Sequence, residues 1–291
     1  MNVRPITVGY DGSDGARAAL GWALDEAART GAQVSLLFAF EWPAVASTVA
    51  PLATTWPDQG VRDDAQKMLD AAILDAFQTH PQVLVTRTVA DGPAALLLRE
   101  RSRQAGLLVL GSRGHGGFTG LLLGSTSVAV TAHAHCPVVV VRGERERPDG
   151  PVVVGVDGSE CAQLALEYAF AQAAAHGAEL RVVRAYQPVA SGEQPSGSGP
   201  DEQAGAERAE LDEVLADGRS RYPQVQVTVD VVPGPAGRVM VDASRDARLV
   251  VVGSRGRGGF GGLLLGSISQ QLLHHAHCPV AVIRELPTTT D

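Results

Sequence analysis

The feature that most constrains this chain is an internal repeat, because one sequence pattern is written twice. The run ITVGYDGSDGARAALGWALDEAARTGAQVSLLFAF begins at Ile6, and VVVGVDGSECAQLALEYAFAQAAAHGAELRVVRAY begins 146 positions later, at Val152. Further on the distance becomes 142, where DGPAA at Asp91 matches PGPAG at Pro233, and HAHCPVVVVR likewise matches HAHCPVAVIR. A unit written twice predicts two similar domains in tandem.

A polar segment separates the two copies. The run GERERPDGP carries charges, proline and glycine, a composition typical of a linker. The 291 residues are also the length of about two domains. We therefore predict a first domain over residues 1–143, a linker over 144–150, a second domain over 151–286 and a tail over 287–291.

Strand and helix patterns alternate within each copy. In the first copy, short apolar runs predict strands at residues 6–8, 34–40, 83–89, 107–110 and 138–141. Between them, helices are predicted from the N-cap Ser13 to Thr30, before Gly31, and at residues 63–80, 93–105 and 125–133. This alternation predicts right-handed crossovers and a mostly parallel sheet. The predicted fold class is α/β, with two tandem doubly wound domains.

The middle segments of the two copies differ. Residues 41–60 are apolar and contain Trp42 and Trp56, which we interpret as covering the sheet rather than flanking a ligand. Residues 187–207, QPVASGEQPSGSGPDEQAGAE, are typical of a flexible loop, and we expect them to be partly disordered.

A dense glycine run follows the most apolar strand of each copy and precedes a helix. GSRGHGGFTGLLLGSTS begins at Gly111, and GSRGRGGFGGLLLGSIS begins at Gly253. Glycine costs conformational entropy, so such a run needs a reason. A loop beyond the carboxyl end of a buried parallel strand lies where ligands bind, and the following helix offers free N–H groups and a positive dipole end. This combination predicts a phosphate-binding loop.

Two better-known phosphate motifs do not fit these loops. Neither loop contains Gly-Lys-Ser/Thr, so neither is a P-loop. GRGGFG at Gly256 matches the dinucleotide pattern, but GHGGFTG in the first copy breaks it. Ala281 also stands where that pattern needs an acidic residue.

An aspartate follows the first strand of each copy, in VGYDGS at Asp11 and VGVDGS at Asp157. A carboxylate there could accept hydrogen bonds from a ribose or hold a metal through water. The alternative is an Asx turn that only shapes the corner between strand and helix. Because a glycine loop is expected beside it, we favour contact with a ligand.

Together these residues resemble the universal stress protein family in its tandem two-domain form, over nearly the whole chain. The resemblance rests on VGxDGS, on the final strand CPVxVV and on G-x2-G-x9-G-(S/T), the signature of the family's ATP-binding branch. It implies a five-stranded parallel sheet of order 3-2-1-4-5 in each domain, with helices on both faces. It also implies ATP, with Mg²⁺ possible, at the switch point between the first and fourth strands.

The resemblance further implies the contacts of each site. Asp11 and Asp157 would lie by the ribose and adenine, and the backbone of Ala39 and Ala185 would face adenine. Arg257 replaces His115 in the second loop and could tune affinity. The implied phosphate-binding residues are Gly111, Arg113, Gly114, Gly124, Ser125 and Ser127 in the first copy, and Gly253, Arg255, Gly256, Gly266, Ser267 and Ser269 in the second.

Metal and redox sites are not predicted. HAHC at His133–Cys136 and HHAHC at His274–Cys278 look like metal ligands, but histidine is also favoured at a helix C-terminus, and each cysteine begins an apolar strand. Cys161 stands at a helix start, yet its counterpart in the first copy is Gly15, so no shared redox role follows.

Composition limits the partners. A net charge of −8 argues against nucleic acid as a partner. No apolar stretch reaches the ~20 residues that span a membrane, the N-terminus lacks a secretory pattern, and three scattered cysteines make no disulfide framework. A cytoplasmic protein is expected.

The predicted function is an ATP-binding stress-response switch or adaptor with at most slow hydrolysis, because neither loop has a lysine for phosphoryl transfer. The alternatives are an ATP-cleaving or adenylating enzyme of the same architecture and a nucleotide-free protein-interaction module. The resemblance also suggests that the two last strands pair the domains with each other, and a homodimer is possible. Protein partners are not identified by the sequence.

Overall fold

The computed structural model describes residues 3–41, 59–114, 123–142, 147–187, 200–257 and 265–285. Trp42, Trp56 and His115 lie outside the described residues. The chain divides into two compact units, Met1–Val141 and Arg142–Asp291. The predicted limits of the linker and tail stay predictions.

Strands and helices alternate along both units. The first unit contains β1 (Ile6–Gly9), α1 (Asp14–Thr30), β2 (Val34–Phe40), α2 (Gln59–Thr79), β3 (Val85–Asp91), α3 (Ala94–Arg101), β4 (Leu107–Gly111), α4 (Ser125–His133) and β5 (Val138–Val141). The second contains β6 (Val152–Gly155), α5 (Glu160–His176), β7 (Leu180–Tyr186), α6 (Pro200–Arg221), β8 (Val227–Pro233), α7 (Ala236–Ala243), β9 (Leu249–Gly253), α8 (Ser267–His275) and β10 (Val280–Ile283).

Each unit contains a five-stranded parallel sheet. The strand order is β3-β2-β1-β4-β5 in the first unit and β8-β7-β6-β9-β10 in the second. Both orders are 3-2-1-4-5 within their unit, so the predicted fold is confirmed. The connections run in opposite directions from β1 and from β4, which makes the gap between these strands the switch point. The central strands are the core: Leu107–Leu110 and Leu249–Val252 are buried at every position.

The long first helix of each unit is capped as the sequence predicts. The side chain of Ser13 accepts a hydrogen bond from the N–H of Ala16, and Gly31 ends the helix in the left-handed conformation at φ 69°. Ser159 and Gly177 do the same for α5, with φ 59° at the glycine. Because these signals are local, they work identically in both copies.

Some element limits differ from the prediction. The sequence predicts a loop over residues 187–207, but α6 begins at Pro200, since proline suits the first position of a helix. The part of that segment at 188–199 lies outside the described residues. Helix α2 begins at Gln59 rather than residue 63, and α3 ends at Arg101 rather than near 105.

Candidate functional site

The turn after the first strand of each unit holds an aspartate in a fixed orientation. Gly12 and Gly158 adopt φ 81° and φ 80°, values that L side chains rarely take. Oδ1 of Asp11 accepts a hydrogen bond of 3.0 Å from the N–H of Ser13. In the second unit Oδ1 of Asp157 accepts from the N–H of Ser159 at 3.0 Å. The Asx turn considered in the sequence is therefore formed, and it leaves the other carboxylate oxygen for a second contact.

That second contact is the glycine loop. A β-carbon placed on Gly114 would collide with Oδ2 of Asp11, and one placed on Gly256 would collide with Oδ2 of Asp157. The loop backbone therefore lies directly against the carboxylate in both units, which only glycine permits.

Two further glycines let the fourth strand of each unit end close to a helix. A β-carbon on Gly111 would lie 2.5 Å from the carbonyl carbon of Gly15. One on Gly253 would lie 2.8 Å from Cβ of Cys161. These glycines bring the loop to the start of α1 and α5, so their small size has a structural reason before any ligand is considered.

The loop returns to the sheet at the start of α4 and α8. The N–H of Gly124 donates to the carbonyl of Ser112 at 2.8 Å, and the N–H of Gly266 donates to Ser254 at 2.7 Å. Both glycines are N-cap residues, and neither helix has a side-chain cap hydrogen bond. The first N–H groups of these helices have no acceptor within the helix, so each start offers donors to an anion.

Ser127 and Ser269 fasten these helix starts to the sheet. The hydroxyl of Ser127 donates to the carbonyl of Gly111 at 2.8 Å, and that of Ser269 donates to Gly253 at 2.7 Å. Both residues are buried. Their observed role is to position the loop, and contact with phosphate through the remaining lone pairs stays a prediction.

Arg113 and Arg255 are exposed residues of the same loops. The carbonyl of Arg113 lies 3.4 Å from Oγ of Ser13 and accepts its hydrogen bond. Arg255 lies 3.9 Å from Glu285 in a loose ion pair between half-exposed side chains. Both side chains are therefore able to reorient at little cost.

A cavity of about 480 Å³ opens at the switch point of the second unit. This size falls within the range of small-molecule sites. All of the residues predicted for the second site line it, namely Asp157, Ala185, Gly253, Arg255, Gly256, Gly266, Ser267 and Ser269. One wall is apolar and includes Ala236 and Met240 of α7, which the motifs of the sequence do not indicate. The only sequence feature that could have indicated these two residues is that their helix begins just beyond the end of β8.

In each unit, the backbone of one alanine near the end of the second strand, Ala39 or Ala185, points toward the first strand of that unit. The carbonyl of Leu37 accepts from the N–H of Tyr10 across β1, and that of Val183 accepts from Val156 across β6. Backbone groups alternate in direction along a strand, so a residue two positions on points to the same side. There β1 and β6 have already ended. The amide and carbonyl of each alanine thus point to the side of the aspartate turn, and Ala185 lines the cavity of the second unit.

The carboxylate of Asp157 is held ionised. Burial alone would raise its pKa, but hydrogen bonds from the hydroxyl and N–H of Ser159 and from the N–H of Arg257 outweigh burial, so the pKa is lowered. The hydroxyl of Ser159 lies 2.7 Å from Oδ1, and the N–H of Arg257 lies 2.9 Å from Oδ2. The sequence indicates Arg257 only as a replacement of His115, whereas this contact places it beside the aspartate, where it lines the cavity.

The histidine and cysteine segments lie elsewhere. Helices α4 and α8 end at His133 and His275, and Cys136 and Cys278 are buried, which raises the pKa of each thiol to about 12. Among the described residues, no cluster of three or more histidine, cysteine, aspartate or glutamate side chains is arranged to hold a metal ion. No helix in the described part of the chain is both long and apolar enough to span a membrane.

The sequence is similar to that of known proteins over both copies of the repeat. The model of the universal stress protein family matches residues 2–142 and again residues 150–284. Universal stress protein Rv2623 of Mycobacterium tuberculosis strain H37Rv is 38% identical over 291 residues, and 96% of each chain is covered. A universal stress protein of Mycolicibacterium smegmatis is 33% identical over 294 residues, again with 96% of each chain covered.

The fold is also similar to that of a solved structure. The crystal structure of a universal stress protein from Archaeoglobus fulgidus DSM 4304 aligns with a TM-score of 0.71. The alignment covers 98% of this chain and 99% of that one, at 20% sequence identity. At this identity the likeness concerns the fold alone.

Proposed function

Since this chain belongs to the universal stress protein family, we propose that each half binds ATP and that the protein acts as a nucleotide-dependent switch or adaptor in the stress response. The observation that carries the proposal is the contact between the first-strand aspartate and the loop glycine. It occurs in both halves, between Asp11 and Gly114 and between Asp157 and Gly256, and it leaves no room for a β-carbon.

The geometry suits each part of the ligand. The uncapped starts of α4 and α8 offer N–H donors and a positive dipole end to phosphates. The carboxylate of Asp157 lines the cavity, where a ribose hydroxyl could donate to it. The apolar wall with Met240 and the backbone of Ala185 suit the face and edge of adenine. These features support a purine nucleotide rather than a free anion.

The same features support binding without fast chemistry. Among the described residues that line the second cavity, Asp157 supplies the only carboxylate, and no lysine is present. The pKa of Asp157 is lowered, whereas a general base works best with a pKa near the operating pH. Mg²⁺ would enter with the phosphates, and Asp157 could hold it through water. We therefore propose slow hydrolysis at most, in a cytoplasmic protein that signals by its nucleotide state.

The test is to release small molecules from the purified protein with acid and to identify them by chromatography and mass spectrometry. Wild type is compared with the double variant Gly114→Glu, Gly256→Glu. Each substitution puts a side chain against the aspartate and a negative charge where phosphate would bind. We expect wild type to release ATP or ADP and to bind added ATP in a titration. We expect the double variant to do neither.

A matched control separates the site from the substitution. Gly21 lies in α1 and Gly205 in α6, and a β-carbon on either meets nothing within 4 Å. The variant Gly21→Glu, Gly205→Glu has the same added charge and should keep its nucleotide. A folded wild type that neither carries nor takes up nucleotide would contradict the proposal and favour a protein-interaction module.

A further inference from the structure

The second half carries an ionic cluster beside its cavity, formed by Arg184 of β7, Glu207 and Glu210 of α6, and Arg257 of the glycine loop. Nε of Arg184 lies 2.6 Å from Oε2 of Glu207, and its Nη2 lies 2.8 Å from Oε2 of Glu210. Nη2 of Arg257 lies 3.2 Å from Oε1 of the same Glu210. One glutamate therefore joins a buried arginine to an arginine that lines the site.

The first half has apolar residues at the corresponding positions. Phe38 stands 146 positions before Arg184, and Ala65 and Met68 stand 142 positions before Glu207 and Glu210. The register is secure in this helix, because Leu69 and Leu211, which are also 142 positions apart, are both fully buried. Three charges of the cluster are thus specific to the second half.

Different side chains occupy the corresponding positions beside the aspartate turns of the two halves. A β-carbon on Gly12 would meet Sδ of Met68, and one on Gly158 would meet the guanidinium of Arg257. Met68 therefore covers the space above Gly12, whose carbonyl also accepts a hydrogen bond from the guanidinium of Arg17, and Arg257 covers the corresponding space above Gly158. Since these turns border the two sites, the side chains beside the sites differ although the glycine spacing is the same: the first half has Met68 where the second has Glu210.

The links within the cluster differ in strength. The side chain of Arg184 is 6% exposed, so its charge depends on Glu207 and Glu210 for compensation. The side chains of Arg257 and Glu210 are 58% and 46% exposed, and an ion pair between such side chains contributes little. Glu210 is consequently held by Arg184, while Arg257 can leave it for a stronger anion.

We infer that Arg257 determines nucleotide specificity in the second site: its guanidinium exchanges Glu210 for the phosphates of the bound nucleotide, so this site selects ligands by phosphate charge. The inference rests on the proposed function and adds to it a difference between the halves. The first site, with Met68 in place of Glu210, holds its nucleotide without this exchange. Guanidinium suits the task, because it makes charge-assisted, bidentate hydrogen bonds to phosphate.

The experiment isolates each site in the full chain. Gly114→Glu leaves only the second site, and Gly256→Glu leaves only the first. Titration calorimetry measures the affinity for ATP and for adenosine, which has no phosphate. In the Gly114→Glu protein, Arg257→Gln should lower the affinity for ATP about tenfold and the affinity for adenosine less than twofold. Arg257→Lys should recover part of the ATP affinity, since it keeps the charge but loses the bidentate geometry.

Glu210→Gln tests the exchange itself. It removes the competing charge, while its amide oxygen can still accept from Arg184, so the helix contact is retained. In the protein with only the second site, this change should raise the affinity for ATP several-fold and leave the affinity for adenosine unaltered. In the protein with only the first site, it should alter neither affinity. Circular dichroism and thermal unfolding confirm that each variant is folded.

The outcomes are distinct. Equal weakening of ATP and adenosine by Arg257→Gln would show that Arg257 only supports the loop, and the inference would fail while the proposed function stood. Weaker ATP binding after Glu210→Gln would likewise overturn the exchange. Binding of neither ligand to either single-site protein would overturn the proposed function and this inference together.

Discussion

At the scale of single residues, the most informative group is the carboxylate of Asp157. Two of its three donors belong to Ser159, and the third is the backbone N–H of Arg257, 100 positions away in the chain. The carboxylate therefore ties the turn after β6 to the glycine loop. Because these hydrogen bonds favour the ionised form, they also couple the protonation of Asp157 to stability.

Asp157→Asn should reduce the dependence of stability on acid. The folded-state pKa is lowered from the ordinary value of 3.8, so Asp157 stabilises the fold above pH 3.8 and loses this effect as the pH falls through the folded pKa. At pH 7 we expect the free energy of unfolding of the variant to be about 1 kcal/mol lower than that of wild type. On acidification to pH ~3, the free energy of unfolding should fall less in the variant than in wild type. Urea unfolding across this range measures both, and parallel curves would contradict the prediction.

The buried cysteines give a second prediction at this scale. Burial raises the pKa of Cys136 and Cys278 to about 12, so only a minute fraction of either thiol is ionised at pH 8. In a Cys161→Ser background, a thiol-specific disulfide reagent should leave both unlabelled in the native protein and label both in denaturant. Rapid labelling of the native protein at pH 8 would show that these strand starts are open.

At the scale of elements, helix α6 shows how the two halves pack different side chains into the same space. The ring of Phe170 in α5 is fully buried and stacks on Tyr222 with centroids 5.9 Å apart. A β-carbon on Gly218 would lie 2.6 Å from Cδ2 of that ring. The corresponding pair in the first half is Leu24 and Ala76. A larger residue on one helix is thus matched by a smaller one on the other.

Two glycines of α6 should respond in opposite ways to alanine. Gly205→Ala fills open space and should stabilise the protein by about 0.5–1 kcal/mol, because alanine is the better helix former. Gly218→Ala has the same helix propensity gain but clashes with Phe170, and should destabilise by about 1–3 kcal/mol. Chemical denaturation of both variants measures the difference.

The first half suggests the compensating change. Phe170→Leu combined with Gly218→Ala recreates the pair found at Leu24 and Ala76. We expect the double variant to be more stable than the sum of its single changes predicts, by about 1–2 kcal/mol. Strict additivity would show that the two residues do not share one packing site.

At the scale of the whole molecule, the chain is two similar units, each with five parallel strands in the same order and a switch point between its first and fourth strands. The aspartate, the glycines and the uncapped helix start recur in both, while the arginine–glutamate cluster occurs beside the second site. That the last strands pair the halves, and that two chains form a homodimer, stay predictions.

The whole chain should bind two ATP molecules. Wild type is expected to titrate with a stoichiometry of two, and Gly114→Glu and Gly256→Glu each with a stoichiometry of one. ATP should also raise the thermal unfolding temperature of wild type, since a ligand that binds only the folded state stabilises it. A stoichiometry of one in wild type, lost in only one of the two variants, would show that a single half is competent.

The sequence by itself determined the repeat, the alternation of strands and helices, the caps at Ser13 and Gly31 and the position of the glycine loops. These follow from short-range signals: hydrophobic period, cap chemistry and the backbone freedom of glycine. The family resemblance added the strand order, which is confirmed, and the contact residues, which stay predictions. The loop prediction at residues 200–207 failed because its polar composition does not prevent a helix that begins at a proline.

Only the tertiary structure decided which distant side chains meet. Asp157 meets Gly256 and Arg257, Arg257 meets Glu210, and Gly218 meets Phe170. These pairs are separated by tens of residues, and each depends on where a crossover sets a helix down and how that helix is rotated on the sheet. No local pattern carries that information, so two copies with the same glycine spacing acquired sites bordered by different side chains.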